Sequence, residues 1–392
     1  MQSAATFLDA GWDFVDETAN GTEDVWWISE GPNYPRLSWE SRRYGGGRGE
    51  PNDPYLIFTA QQMNAIGTEP NDWDKHFQLG ADLDLAGFDG QAGRPEFHPA
   101  GTGYNKAFVG VFDGLGHTVR NFTCHMDKGQ GVGLFGFLGP HGEVKDLVVQ
   151  DANVSGDSFV GALVGYNHRG TVRHCRATGH VQGSQYTGGL IGICIDQALT
   201  ERCHSEVHVS GGSPTGGLVG ANSGSTVSQC AVTGTVKGTG GGGITGRQDN
   251  HSLIQDSYAV CTMSGGGSGI AGANKNSLVS RCYFAGVFVC PEPQPLRDAT
   301  SPISVAASEC GSGLVGFNTD GQVEVSFWDI QTSGATTSAG GTGKTTVEMQ
   351  TASTFLDAGW DFVGETINGT EDIWWIDEGK DYPRLWWKAR NR

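Results

Sequence analysis

The sequence predicts an all-β fold, a right-handed parallel β-helix: a three-sided solenoid of about 25–28 residues per coil, closed by small α/β caps. Three observations predict it. Glycine contributes 63 of 392 residues while only 17% are charged, yet Val, Leu and Ile recur at regular intervals, as in short strands joined by tight turns. The middle of the chain repeats itself with a period suited to stacked coils. Each copy holds several glycines, which cost about 1 kcal/mol apiece inside a helix, so a helical repeat is excluded.

Residues 1–40 form a Trp-rich terminal segment. Met1–Trp39 and Met349–Trp387 agree at 30 of 39 positions, at an offset of 348 residues. Either the chain is one protein with two similar end modules, or it is cut from a tandem array whose preceding unit ends at residue 40. The array is the favoured reading, because the C-terminal copy is led in by KTTVE and the N-terminal copy is not. Residues 41–54, SRRYGGGRGEPNDP, read as a flexible linker. Residues 55–100 read as the N-terminal cap of the solenoid. Thr59 is placed to cap a helix through Ile66, stopped by Gly67, and Phe77–Leu85 alternates as one first strand.

Residues 101–330 carry the repeats, with an insertion at 291–309. The clearest copies are GALVGYNHRGTVRHCRATGHVQG from Gly161, GGLVGANSGSTVSQCAVTGTVKG from Gly216 and SGIAGANKNSLVSRCYFAGVFV from Ser268. Cys175, Cys203, Cys230 and Cys282 share one position with Ser257 and Ser326, a ladder of small inward residues behaving as buried hydrophobes. Asn167, Asn222, Asn274 and Asn318 form a second ladder at a turn, where Asn suits left-handed backbone. Residues 331–392 supply a linker, a helix and a Trp-rich cap. Thr345 and Glu348 make a capping box for a helix running to about Ala358 and closed by Gly359.

The copies GALVGYN, GGLVGAN and SGLVGFN resemble the GLUG motif, over roughly residues 105–328. The segment FVGVFDGLGHTVRNF, Phe108–Phe122, resembles the first coil of many right-handed parallel β-helices. The ending GTEDIWWIDEGKDYPRLWW resembles that of modules in large secreted proteins of planctomycete-like bacteria. The resemblance implies a bacterial surface or secreted protein, and it brings no catalytic residues.

SAGGTGKTT, Ser338–Thr346, matches a phosphate loop at Gly343, Lys344 and Thr345, but Ser338 replaces the first glycine and no buried strand leads in. Glycoside cleavage needs two carboxylates across a cleft. None is evident, so no catalytic residue is expected; a polysaccharide-binding or polysaccharide-degrading protein is the alternative to a structural or adhesive one. The basic run His168–His180 fits an acidic glycan or a charged turn. The residues after the Cys ladder point outward: Arg176, His204, Ala231, Tyr258, Tyr283 and Phe327. Of these, Arg176, His204, Tyr258, Tyr283 and Phe327 are the candidate ligand contacts, unless the insertion or the tail covers the aromatic stripe. Asp82, Asp84 and Asp89 match no calcium loop, and neither metal nor cofactor is expected. Cys290 and Cys310 flank the insertion and are placed to close it as a disulfide.

The net charge of −18 argues against nucleic acid and anionic lipid, and no apolar run is long enough to span a membrane. The opening MQSAATFLDAGWDF lacks the basic start and apolar block of a signal peptide, although an extracellular or cell-surface setting is expected. The expected partner is a second copy, head to tail, or a surface polysaccharide. The candidate assembly residues are Trp12, Trp26, Trp27, Tyr34 and Trp39, with Trp374, Trp375, Tyr382 and Trp387 in the second copy.

Overall fold

The computed structural model describes residues 4–14, 19–23, 25–27, 35–37, 43–289 and 310–389. Three parallel sheets run the length of the body: sheet A of ten strands, sheet B of thirteen and sheet C of seven. The coil at the centre shows the plan. Val164–His168 lies on sheet C, Thr171–Arg173 on sheet A and Arg176–Gly188 on sheet B. The seven rungs of sheet C mark six full turns between the first and the last. On sheet A, Thr171 pairs with Leu199, Leu199 with Thr226, Thr226 with Leu253 and Leu253 with Leu278, steps of 28, 27, 27 and 25 residues. The next step, from Leu278 to Gln322, is 44 residues because it contains the insertion. The chain is a parallel β-solenoid of the expected period.

The glycine that opens each Gly-Leu-Val-Gly copy is required by backbone contact. A Cβ on Gly188, Gly216 or Gly242 would stand 2.0 Å from the carbonyl oxygen of Ile191, Val219 or Thr245, inside a hard-sphere clash. The following Leu and Val enter the core, where Leu163, Leu190, Leu218 and Leu314 are fully buried.

Both predicted ladders are present. Cys175, Cys203, Cys230 and Cys282 are buried free thiols. Each lies 3.1–3.2 Å from the carbonyl oxygen two residues earlier, and the Ser257 and Ser326 hydroxyls donate to the equivalent carbonyls at 2.7 Å. Hydroxyl and thiol are interchangeable on this rung because the acceptor is always there. In the Asn ladder, Cys194 and Gln248 occupy the intervening rungs. Asn167, Asn222 and Asn318 donate to the carbonyls of Gly170, Ser225 and Gly321, and Asn274 donates to Asn318 Oδ1 at 3.0 Å. The left-handed residue is not the Asn. It is the residue two further on: Arg169, Gly224, Asn276 and Asp320, at φ 47–62°.

A second left-handed corner precedes the Cys ladder in every coil. Asp146, His174, Arg202, Gln229, Asp256, Arg281 and Val325 sit there at φ 39–53° without a glycine among them. Neighbouring rungs pair across it: Asp146 with His174 at 3.0 Å, Arg202 with Gln229 at 2.9 Å, and Arg281 with Asp256 through two bonds of 2.6 and 2.9 Å. These side-chain bonds offset the cost of a backbone conformation that L-residues avoid.

The ends depart from expectation in several places. Residues 43–54, expected as a flexible linker, are packed. Tyr44 is buried against Tyr55 and Phe77, its hydroxyl donates to Asp72 at 3.0 Å, and Gly45 and Gly46 bond the backbone of Leu56. Thr59 and Gln62 form a full capping box, but the helix runs Ala60–Thr68, through Gly67. Gly67 serves close approach instead, since a Cβ there would strike the His98 carbonyl. The segment Phe77–Leu85 is two strands, His76–Leu79 and Leu83–Asp84, because the chain turns a corner at Gly80.

At the other end the capping box at Thr345 is present, but the helix breaks into Thr346–Met349 and Ala352–Leu356. Thr351 is extended at the break, and its hydroxyl returns to the Val347 carbonyl at 2.8 Å. The phosphate-loop look-alike is the last rung of sheet B. Thr342–Lys344 pairs with Phe327–Asp329, Ser338 Oγ accepts the amides of Leu314 and Val315, and Lys344 faces Glu348. Cys310 is disulfide-bonded, as closure of the insertion requires; Cys290 and residues 291–309 lie outside the described residues.

Candidate functional site

The most distinctive surface lies on the outer face of sheet B. Tyr258, Tyr283 and Phe327 are in register on adjacent rungs, and the two Tyr rings stack at 5.0 Å with 6° between planes. They point away from the solenoid core, as expected, and yet they are only 5%, 1% and 7% exposed. The cover is the C-terminal Trp-rich module. Phe355, Trp360, Trp374 and Leu385 are completely buried against them in a second core, separate from the solenoid's own. The stripe is therefore an internal seat, and the ligand role expected of Tyr283 and Phe327 is corrected: the chain's own cap occupies them.

Hydrogen bonds latch the cap at five points. Tyr283 donates to the Pro383 carbonyl at 2.6 Å and Trp360 to the Val325 carbonyl at 2.9 Å. Tyr382 donates to Asp329 at 2.7 Å, and Trp387 donates to the Gln229 carbonyl at 3.0 Å. Lys388 lies 5.4 Å over the Tyr258 ring and donates to its hydroxyl at 3.2 Å. Of the residues expected at an assembly interface, Trp374, Tyr382 and Trp387 thus serve this chain's own closure.

Where the cap ends, an open groove of about 1330 Å³ runs between it and the sheet. Arg176, His204 and the edge of Tyr258 form the floor, and Trp375, Trp386 and Trp387 form the cap-side wall. The structure brings Arg176 and His204 together here, beside Tyr258. Burial, reinforced by the charges of Lys388 and Arg176, holds His204 neutral, with its pKa lowered to about 2. Its Nε2 lies 3.0 Å from Thr233 Oγ1. The groove acids are each engaged: Glu206 by Arg176, Asp146 by His174 and Asp381 by Arg384. That arrangement offers stacking and hydrogen bonding to a ligand. It offers no pair of unengaged carboxylates for acid–base work.

The remaining candidates are scaffold. In the basic run, His168 faces Asp196, Arg173 faces Glu143, and His174 and Arg176 are paired as above. Asp82, Asp84 and Asp89 are held by His117, Arg120 and Arg94, and no metal-binding cluster occurs among the described residues. No helix among them is long and apolar enough to cross a membrane.

One surface was missed from sequence. Phe137, Tyr166 and Ile193 form an outward ladder on sheet C, packed with Phe159 and Tyr186 and with the exposed Tyr104. The signal was the Tyr of GALVGYN, which the strand alternation turns outward.

The N-terminal copy is a second edition of the cap. Its helix Ala4–Leu8 and its antiparallel pair Trp26–Trp27 with Arg36–Leu37 repeat Ala352–Leu356 and Trp374–Trp375 with Arg384–Leu385. The Trp12 and Trp26 rings pack at 4.4 Å, tilted by 37°, and both are half-buried. Only the backbone of Trp27 is described, and Tyr34 and Trp39 lie outside the described residues.

The fold and its repeats define the class: this is a parallel β-solenoid, and two of its repeats match the GLUG motif. The family described as "The GLUG motif" matches residues 158–182 and 211–237. Two relatives are similar over part of the chain. Halomucin of Haloquadratum walsbyi is 33% identical over 191 residues, covering 48% of this chain and 2% of that protein. A protein of Evansella cellulosilytica described as a Gly-rich membrane protein is 32% identical over 132 residues, covering 33% of this chain and 15% of that one. The chain thus spans a small part of these relatives. A crystal structure from Bacteroides ovatus, described as an immunoglobulin A1 protease, matches 89% of this chain and 96% of its own, with a TM-score of 0.58. At 20% identity that likeness concerns the fold alone.

Proposed function

We propose that this chain is a non-catalytic structural or adhesive module of an extracellular or cell-surface protein, one solenoid unit in a tandem array. The observation that carries the reading is the end module, present twice at a spacing of 348 residues and folded alike both times. Its C-terminal copy closes the solenoid's outer face, and its N-terminal copy precedes the solenoid in sequence, the order an array of such units would have. The names of the two relatives, a mucin and a membrane protein, support a surface setting. Electron microscopy of the longest natural form tests the reading: evenly spaced solenoid bodies are expected, and a single solenoid with no neighbours would refute it.

The groove favours a second, compatible role, the binding of a polysaccharide. Half-buried Trp375, Trp386 and Trp387 offer ring-stacking faces beside Arg176. Titration with neutral and acidic polysaccharides should quench tryptophan emission without releasing shorter sugars. Release of sugars would instead establish an enzyme.

A further inference from the structure

The apolar face that the C-terminal module buries is repeated at the N-terminus, where most of its described residues are only half-buried. Phe355, Trp360, Trp374 and Leu385 are completely buried. Their counterparts 348 residues earlier, Phe7, Trp12, Trp26 and Leu37, are half-buried. The interior of the module does not account for the difference. Ring centroids of Phe7–Trp12 and of Phe355–Trp360 are both 4.8 Å apart, and Trp12–Trp26 at 4.4 Å compares with Trp360–Trp374 at 4.6 Å. Asn20 donates to the Leu8 carbonyl at 2.7 Å as Asn368 does to the Leu356 carbonyl at 2.8 Å. Glu23 N and Glu371 N each lie 2.9 Å from the equivalent Asp carboxylate. The module keeps one internal geometry whether its face is fully buried or half-buried.

The differences between the copies also point to a shared seat. Ser353, Gly364, Ile367 and Lys380, which replace Ala5, Asp16, Ala19 and Pro32, are all exposed; Ile367 is 92% exposed. Met349, Phe355, Trp360, Phe362, Trp374 and Leu385, which are buried in the seat, all have identical counterparts in the N-terminal copy, as have Tyr382 and Pro383 in Tyr34 and Pro35; Ile373 at its edge becomes the smaller Val25. The changes nearest the seat, Trp386 to Ser38 and Lys388 to Glu40, fall at the groove rim.

We propose that the N-terminal module is a docking plug for a second copy of this unit, seating on the Tyr258–Tyr283–Phe327 stripe of that copy. For its natural setting the proposal rests on the array reading above. In the intact chain each stripe already holds its own tethered module, and a tether gives the resident a high effective concentration. Docking between chains therefore emerges when the resident is weakened. The contact is heterologous, plug to stripe, so it propagates head to tail instead of closing a symmetric pair.

The test uses the full chain carrying Trp360→Ala and Trp374→Ala, followed by light scattering over a concentration series. The mass should at least double as concentration rises, and adding Trp12→Ala and Trp26→Ala should return it to monomer. A double variant that keeps its β-sheet circular dichroism yet stays monomeric overturns the proposal, as does association that ignores Trp12 and Trp26. Should the double variant not fold, Tyr382→Ala loosens the resident at its rim. The same dependence on Trp12 and Trp26 is then expected of it, and a folded, strictly monomeric chain with a released resident overturns the proposal equally. Regular arrays in the natural protein alongside a monomeric variant would discard the plug and keep the array.

Discussion

Tyr283 offers the sharpest test of how the cap is held. Its ring is 1% exposed, stacks on Tyr258 at 5.0 Å, and donates a 2.6 Å hydrogen bond to the buried Pro383 carbonyl. Tyr283→Phe keeps the ring and removes the donor, leaving a buried carbonyl unpaired at a cost of about 1–3 kcal/mol. Tyr283→Ala also empties the ring site between two sheets of aromatic side chains, and large-to-small changes of this kind cost about 3–5 kcal/mol. A solenoid is stabilised mainly through neighbour contacts, so the loss should fall on the cap more than on distant coils. Urea unfolding followed by tryptophan emission reports the cap, and far-ultraviolet circular dichroism reports the coils. Tyr283→Ala should move the emission midpoint to lower urea well ahead of the dichroism midpoint, with Tyr283→Phe between it and the wild type. A Tyr283→Ala effect below about 0.5 kcal/mol, the size of an ordinary surface change, would refute the seated cap.

Other expectations follow from the same packing. Asp256 is 2% exposed at its side chain and paired with Arg281, so Arg281→Ala should destabilise by about 3–5 kcal/mol, measured by urea titration, because it strands a buried carboxylate. Val325 is a β-branched residue at φ 39° and is 42% exposed; Val325→Asn should therefore raise stability by roughly 1 kcal/mol in the same titration. His204 has its pKa lowered to about 2 in the folded chain, from an ordinary 6.5, so the unfolded chain binds a proton there before the folded one does. Stability from this group is complete above about pH 6.5 and is lost as pH falls toward 2, with a slope of at most about 1.4 kcal/mol per pH unit. His204→Gln should flatten that part of the stability-against-pH curve, and an unchanged slope would count against the burial of this ring.

The coil period, the inward Cys ladder and the outward aromatic stripe were legible in sequence because each rests on strand alternation, which fixes the face of every residue. The Asn ladder was legible, but its conformation was misassigned. An Asn at a turn suggested left-handed backbone, whereas here the Asn is extended and bonds across the turn to Gly170, Ser225 or Gly321. The second left-handed corner could not be read at all. Arg202, Gln229 and Arg281 carry no local preference for positive φ, and their support comes from partners one coil away. The glycine run Gly45–Gly47 suggested flexibility for a related reason. Gly45 and Gly47 are constrained by close approach to Phe58 and to the Pro54 carbonyl, contacts that composition does not reveal. Whether the stripe was covered was a tertiary question from the outset. The equal spacing of Trp360 and Trp374 with Trp12 and Trp26 hinted at the answer, since an apolar module this small needs something to cover it.

The central claim is that the terminal modules are caps of successive solenoids in a continuous array. Imaging a protein that carries the 348-residue unit twice in tandem tests it most directly. Ten rungs at roughly 4.8 Å give each solenoid a length of about 45–50 Å, so two rods of that length should appear in a reproducible head-to-tail arrangement, each with a lateral cap. Rods joined at random angles, with uncapped modules trailing between them, would contradict the account.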